Sequence, residues 1–269
     1  MDLYDHIAPF YRMEMDGYED DLPFLRNLAG RTGGPVLDVG TGDGRVAFAL
    51  ADAGHDVVGL DSSAVMIDLA QRQLQARKPL AGAPGAPRGH RKRGPRGSVS
   101  FVQGDMRDFG LGREFSLILL AAGTFTHLTT RHDQEQALGC FRAHLTSGGL
   151  LAVTLQNPYQ WALDQKEDEL VLGSEKDGPG PGETTRISYA ARSDRAKQLR
   201  HVRVWYDVTG PDKVVRRTGA QFSLRWTYQP ELALLFEGCG LRPEAWYGSY
   251  DLDPYDTETP LLIGIAHRD

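Results

Sequence analysis

The stretch Pro35-Val-Leu-Asp-Val-Gly-Thr-Gly-Asp-Gly-Arg-Val-Ala-Phe-Ala-Leu-Ala51 limits what this chain can become more than any other. Val36 to Val39 reads as a short strand buried on both faces, as in a parallel sheet. Gly40, Gly42 and Gly44 form the turn, and a helix is expected to start near Asp43. The glycines permit a tight reversal and leave no Cβ between the backbone and a bound molecule. The free N–H groups of the helix point at the same place. Asp38 puts a carboxylate at the carboxyl edge of the sheet, where open α/β sheets hold ligands. A dinucleotide fingerprint would need glycine at position 45, where Arg45 stands, and the Gly-Lys-Ser/Thr of a P-loop is absent. A bare βα turn would not need three glycines beside an acid.

The downstream sequence repeats the theme. His55 to Asp61 is a second strand ending in an acid, about 20 residues past the turn, where a carboxylate accepts hydrogen bonds from two ribose hydroxyls. Ser62-Ser63 then caps a helix with Ala64, Ile67, Ala70 and Leu74 on its burial side. Val99 to Phe109 contains a third strand that runs into Gly104-Asp105-Met106. Glu114 to Leu120 is a fourth, followed by the small residues Ala121-Ala122-Gly123, which admit a ligand close to the backbone. His127 stands where the cleft should open, against the plainer reading of a surface or helix-start histidine. Residues 131–146 read as a helix and 147–156 as a turn and fifth strand.

From Glu167 the hydrophobic period changes. Ser188–Ala191, His201–Val208 and Val214–Trp226 alternate as strands do, with turns at Gly173–Gly182 and Gly210–Asp212. This is a small antiparallel sheet inserted before the helix Gln229–Gly240 and two closing strands, Leu241–Trp246 and Pro260–His267. At the other end Met1 to Gly30 reads as helical, with Ile7 and Phe10 on a packing face. Tyr4 and Tyr11 are balanced between packing and covering a ligand.

Asp-Val-Gly-Thr-Gly-Asp-Gly44 resembles the first motif of the class I S-adenosylmethionine (SAM)-dependent methyltransferases. Gly104-Asp-Met-Arg-Asp-Phe109 and the Tyr-Asp…Tyr amino-terminal helix are similar to the nucleotide-sugar amino-methyltransferases and related small-molecule enzymes. The resemblance implies a Rossmann-like α/β fold: a seven-stranded, mostly parallel sheet of order 3-2-1-4-5-7-6, with the inserted antiparallel subdomain. It divides the chain into a cap (1–30), a SAM-binding domain (31–160 and 227–269), an insertion forming part of the substrate site (161–226) and a mobile basic loop (79–97). It implies cofactor contacts at Tyr11, Asp38, Gly40, Thr41, Gly42, Gly44, Asp61, Ser62, Asp105, Met106, Ala121 and Ala122. His127 becomes the candidate base and Tyr11 the group closing over the sulfonium. The expected reaction is in-line methyl transfer to nitrogen or oxygen, with carbon also open, leaving S-adenosylhomocysteine. Asn157-Pro158-Tyr159 is not the Asn-Pro-Pro-Tyr motif of DNA amino-methyltransferases, because it follows the fifth strand and lacks the second proline.

Composition closes off other classes. The net charge of -6 argues against general nucleic-acid affinity. The alternatives are a nucleic-acid methyltransferase using the basic loop, a non-catalytic SAM-binding regulator and an NAD-dependent oxidoreductase. The glycine spacing and Asp105-Met106 oppose the last. Cys140 and Cys239 form neither a disulfide framework nor a metal pattern, and no metal is expected. No apolar run approaches the ~20 residues of a membrane span. A cytoplasmic enzyme with a small-molecule methyl acceptor, acting as monomer or homodimer, is the expectation.

Overall fold

The structure, a computed structural model, describes residues 3–77, 97–161 and 167–269. The basic stretch 79–97 lies outside the described residues except for Gly97. The chain opens with two helices, α1 (Leu3–Met15) and α2 (Leu22–Thr32), in place of the single helical segment expected. Gly17 lies between them with φ of 76°, a left-handed conformation that suits glycine and ends the first run. There follow β1 (Val36–Val39), α3 (Arg45–Asp52), β2 (Val57–Asp61), α4 (Ala64–Arg77), β3 (Val99–Gln103) and β4 (Phe115–Leu120). A 3₁₀ turn (Thr124–His127) leads to α5 (Arg131–His144), β5 (Leu145–Gln156) and the short α6 (Pro158–Trp161). Four antiparallel strands come next: β6 (Val171–Asp177), β7 (Thr184–Asp194), β8 (Leu199–Thr209) and β9 (Val215–Arg225). The helix α7 (Gln229–Gly238), β10 (Arg242–Tyr247) and β11 (Leu261–His267) complete the chain.

The main sheet has the order β3-β2-β1-β4-β5-β11-β10. Its first five strands run parallel and β11 is antiparallel to β5. All four residues of β1 are buried, as a strand covered on both faces requires. Leu37, Val39, Ile118 and Leu120 pack one face with α5 and α7; Val36, Leu117 and Leu119 pack the other with α2 and α3. The strand order reverses between β1 and β4, so the connections leave in opposite directions and a crevice opens at the carboxyl edge.

The second sheet, β6-β7-β8-β9, has one strand more than the sequence pattern gives. Val171–Asp177 falls across the stretch read as a turn, yet it pairs with β7. Its residues are largely exposed, so it carries little of the apolar alternation by which strands are recognised. The inner face of this sheet packs on α1. Ile7 and Phe10 join Ile187, Val204, Tyr206 and Val208, and Phe10 stacks on Tyr206 with ring centroids 4.4 Å apart. Lys176 on β6 donates from Nζ to the Met13 and Glu14 carbonyls, a cation at the carboxyl end of α1. The helix is thereby held between the second sheet and the edge of the first.

Candidate active site

The turn after β1 is built by hydrogen bonds to β2: the Gly40 and Thr41 amides donate to the Leu60 carbonyl at 2.7 and 3.1 Å. A Cβ on Gly40, whose φ is 67°, would sit 2.4 Å from the Thr124 methyl. One on Gly42 would come 3.3 Å from the Tyr11 ring. These two positions must be glycine because the 3₁₀ turn and α1 close over them. Gly44 faces the other way, with Phe48 and Phe101 each 2.8 Å from where its Cβ would be. It serves packing behind the turn and stands outside the cavity wall, a placement the repeating spacing hides.

The turn borders a cavity of about 300 Å³ whose walls include Gly40, Gly42, Asp61, Ser62, Gly104, Asp105, Met106 and Ala122. Asp61 is held by two amides: Gly42 N–H donates to Oδ2 at 2.8 Å and Ser63 N–H to Oδ1 at 2.9 Å. Each oxygen keeps a lone pair for a ligand hydroxyl. Ser63, not Ser62, caps α4, its hydroxyl accepting from the Met66 amide. The same hydroxyl donates to Asp5 at 2.7 Å, which ties α1 across the cavity.

Asp38, 2% exposed, accepts from the Thr41 hydroxyl at 2.7 Å. Burial pushes its pKa up to about 7, with the Thr41 hydrogen bond opposing. Thr41 therefore acts through Asp38. Both line a narrow annex of about 20 Å³ with Gly40, Arg45, Ala121 and Ala122, so Ala121 belongs to the annex and Ala122 to both spaces. Arg45 forks onto Asp21, both contacts 2.7 Å, and donates to the Tyr18 carbonyl, clamping α3 to the start of α2.

At the far end Asp105 is engaged by Arg107, whose Nη2 lies 2.6 Å from Oδ2 and whose Nη1 lies 2.6 Å from Asp133. The Arg107 hydrogen bond holds the Asp105 carboxyl below its usual range. This Asp105–Arg107–Asp133 bridge across the cavity mouth is a feature the sequence reading did not identify.

A second cavity of about 660 Å³ lies beyond α1, under the inner face of the antiparallel sheet. Tyr4, Tyr11, Ala122 and His127 line both cavities. They are the partition. Tyr4 Oη lies 3.0 Å from His127 Nε2, and its ring meets both Tyr11 and His127 edge-on. His127 ends the 3₁₀ turn and faces Phe222 at 6.3 Å between ring centroids. Burial raises the Tyr11 hydroxyl to a pKa of about 12, so it stays a neutral phenol at physiological pH. Ala122 holds a φ of 50°, an uncommon conformation for a residue with a Cβ.

Of the aromatic residues weighed as pocket walls, Tyr250 lines the second cavity. Trp226 is a core residue, and Trp246 stacks on Phe236. Arg200 and Glu14, also on the second cavity wall, were not singled out from the sequence. The signal for Arg200 was present: a lone cation on the face of β8 that otherwise carries Val202, Val204, Tyr206 and Val208.

The first cavity fits an adenosyl cofactor. It has a backbone cradle that Cβ atoms would fill, an amide-held carboxylate for ribose, and a flat side chain, Met106, beside an acid. Comparison with known proteins agrees. Residues 36–149 match the methyltransferase-domain family. A dTDP-3-amino-3,4,6-trideoxy-alpha-D-glucopyranose N,N-dimethyltransferase of Streptomyces venezuelae is 31% identical over 211 residues, 78% of this chain and 76% of that protein. A dTDP-3-amino-3,6-dideoxy-alpha-D-glucopyranose N,N-dimethyltransferase of Streptomyces fradiae is 27% identical over 244 residues, 90% of this chain and 84% of that one. Among solved structures, SAM-bound CalS10, an amino pentose methyltransferase from Micromonospora echinaspora, superposes with a TM-score of 0.68 at 19% identity. That match covers 100% of this chain and 98% of the other. No helix among the described residues is long and apolar enough to cross a membrane.

Proposed function

Because the chain belongs to the class I SAM-dependent methyltransferases, we propose that it methylates an amine nitrogen of a small, diffusible acceptor of the amino-sugar kind. One observation carries this: the four-residue partition of Tyr4, Tyr11, Ala122 and His127 between a cofactor-sized cavity and a larger one under the second sheet. When bound, SAM supplies an electrophilic methyl group on a positively charged sulfur, so little is required of the protein beyond alignment and proton removal.

The residues divide that work. Asp61 and Ser62 hold the ribose end, Asp105 and Met106 the base, and Asp38 the charged amino-acid end. Tyr11 presents a neutral hydroxyl and an aromatic face at the partition, both suited to a sulfonium. His127, oriented by Tyr4, takes the proton that the acceptor nitrogen sheds. Arching over the acceptor, α1 and the insertion (161–226) exclude water from the point of transfer.

The names of the relatives support nitrogen over oxygen, and the net charge of -6 supports a small molecule over nucleic acid. The proposal keeps the expected cytoplasmic setting. Incubation with SAM and a panel of dTDP-amino sugars, free amines and phenols, read by mass spectrometry, tests it. The expected result is a gain of one or two methyl groups on an amine. Methylation confined to phenols, or to nucleic acid, would refute the nitrogen assignment.

A further inference from the structure

The second cavity is apolar along most of β8 and β9, yet its ends are not. Among the described residues on its wall, the ionisable groups other than tyrosines are Glu14, His127 and Arg200. Arg200 is 4% exposed and shares the inner face of β8 with Val202, Val204 and Tyr206. Phe222, which faces His127, is the cross-strand partner of Val202. Arg200 thus stands two residues, roughly 7 Å, along the strand from the position opposite the transfer point. Tyr206, which donates its hydroxyl to Glu14 at 2.5 Å, stands four residues the other way, roughly 13 Å. The cavity therefore runs about 20 Å along β8, a cation at one end and a carboxylate at the other, with the methyl-transfer point nearer the cation.

We propose that Arg200 is the seat for an anionic oxygen group of the acceptor, a phosphate or a carboxylate carried close to the amine that is methylated. A guanidinium presents a rigid fork that matches either group in two parallel hydrogen bonds. Charges are rarely placed on an apolar inner face without a use for them, because burial penalises the charged form. Burial depresses the Arg200 pKa here, the nearby Tyr189 acting against it. An anion brought to this face reverses that penalty, so the gain on binding is larger than at a solvated arginine. The ends also give the acceptor a direction, anion toward Arg200 and the opposite end toward Tyr206 and Glu14, with the reacting nitrogen in register with His127.

This inference rests on the reading of the second cavity as the acceptor site, and the test separates the two. Thymidine 5′-diphosphate, a phosphate probe, and glutarate, a carboxylate probe, are titrated calorimetrically into protein loaded with S-adenosylhomocysteine. At least one should bind the wild type and weaken as salt rises. Its affinity should fall at least tenfold in Arg200→Gln and by a smaller factor in Arg200→Lys, which keeps the charge and loses the fork. S-adenosylhomocysteine affinity should stay within twofold in both variants. The probe that binds tells phosphate from carboxylate. Neither probe binding the wild type, or equal affinity in wild type and the lysine variant, would overturn the assignment. Arg200→Lys keeps the test available should the glutamine variant fail to fold. Methylation of an amine with no anion effect would leave the nitrogen reading standing and remove this one. Anion binding without any methylated amine would do the reverse.

Discussion

Asp38 offers the sharpest prediction, because its ionisation falls in the working range. The carboxyl is buried at the end of β1 beside the cofactor cavity, and its pKa of about 7 means that half the molecules carry a neutral acid at neutral pH. If Asp38 holds the ammonium of the cofactor's amino-acid end, binding requires the charged form and the apparent dissociation constant scales as one plus the ratio of protons to the acid constant. Between pH 8 and pH 6 that factor grows about tenfold, equivalent to about 1.4 kcal/mol. S-adenosylhomocysteine should therefore bind about tenfold more weakly at pH 6 than at pH 8. Calorimetry in buffers of different ionisation heat should also detect about half a proton released per site at pH 7. Asp38→Asn keeps the shape and cannot ionise, so its profile should lose this slope. The ligand's own ammonium and His127 titrate equally in both proteins, and the difference isolates Asp38. The stability of the unliganded protein carries the matching sign. A carboxyl raised from 3.8 to about 7 stabilises the fold fully below pH 4 and loses that contribution as pH rises toward 7. A flat wild-type binding profile, or the same slope in Asp38→Asn, would refute the reasoning.

Other perturbations probe different parts. Asp61→Ala removes the acceptor of the Gly42 and Ser63 amides as well as the ribose contact. At about 1.5–3 kcal/mol per charged hydrogen bond it should weaken S-adenosylhomocysteine binding at least tenfold, measured by calorimetry. His127→Ala should lower kcat by roughly 10²–10⁴ while cofactor affinity changes little, and Tyr4→Phe should produce a smaller loss through misorientation of the imidazole. Gly40→Ala drives a methyl into Thr124 and imposes a left-handed backbone on alanine. Thermal denaturation should show a lower Tm, and pairing it with Thr124→Ser, which removes the clashing methyl, should restore part of the loss. Phe10→Ala empties the stack on Tyr206 and should cost about 3–5 kcal/mol if α1 unfolds with the rest. A much smaller loss with abolished activity would show α1 to be a separately mobile cover.

The main sheet was legible because its strands are short apolar runs closed by glycine or acid, and burial on both faces demands that pattern. Thr41 and Ser62-Ser63 show where legibility ends. Sequence marks the neighbourhood, but the backbone decides that Ser63 caps α4 and that Thr41 turns its hydroxyl to Asp38. Gly44 was read with the other glycines because spacing carries no direction. Only the packing of Phe48 and Phe101 against it sets it apart. The strand β6 escaped notice because edge strands with exposed faces need no hydrophobic alternation. The pairing of Tyr4 with His127 spans 123 residues, and no local pattern encodes it. It arises because the second sheet presses α1 against the 3₁₀ turn. Arg200 was visible as an anomaly on β8 and invisible as a cavity residue, since the cavity exists only once two sheets face each other across α1.

The most direct test of the two-cavity account is a crystal structure with S-adenosylhomocysteine and a dTDP-amino sugar bound together. The account predicts the cofactor sulfur and the acceptor nitrogen on opposite sides of the partition, facing each other between Tyr11 and His127. A sulfur pointing away from His127, or an acceptor lodged outside the space between α1 and the antiparallel sheet, would contradict it.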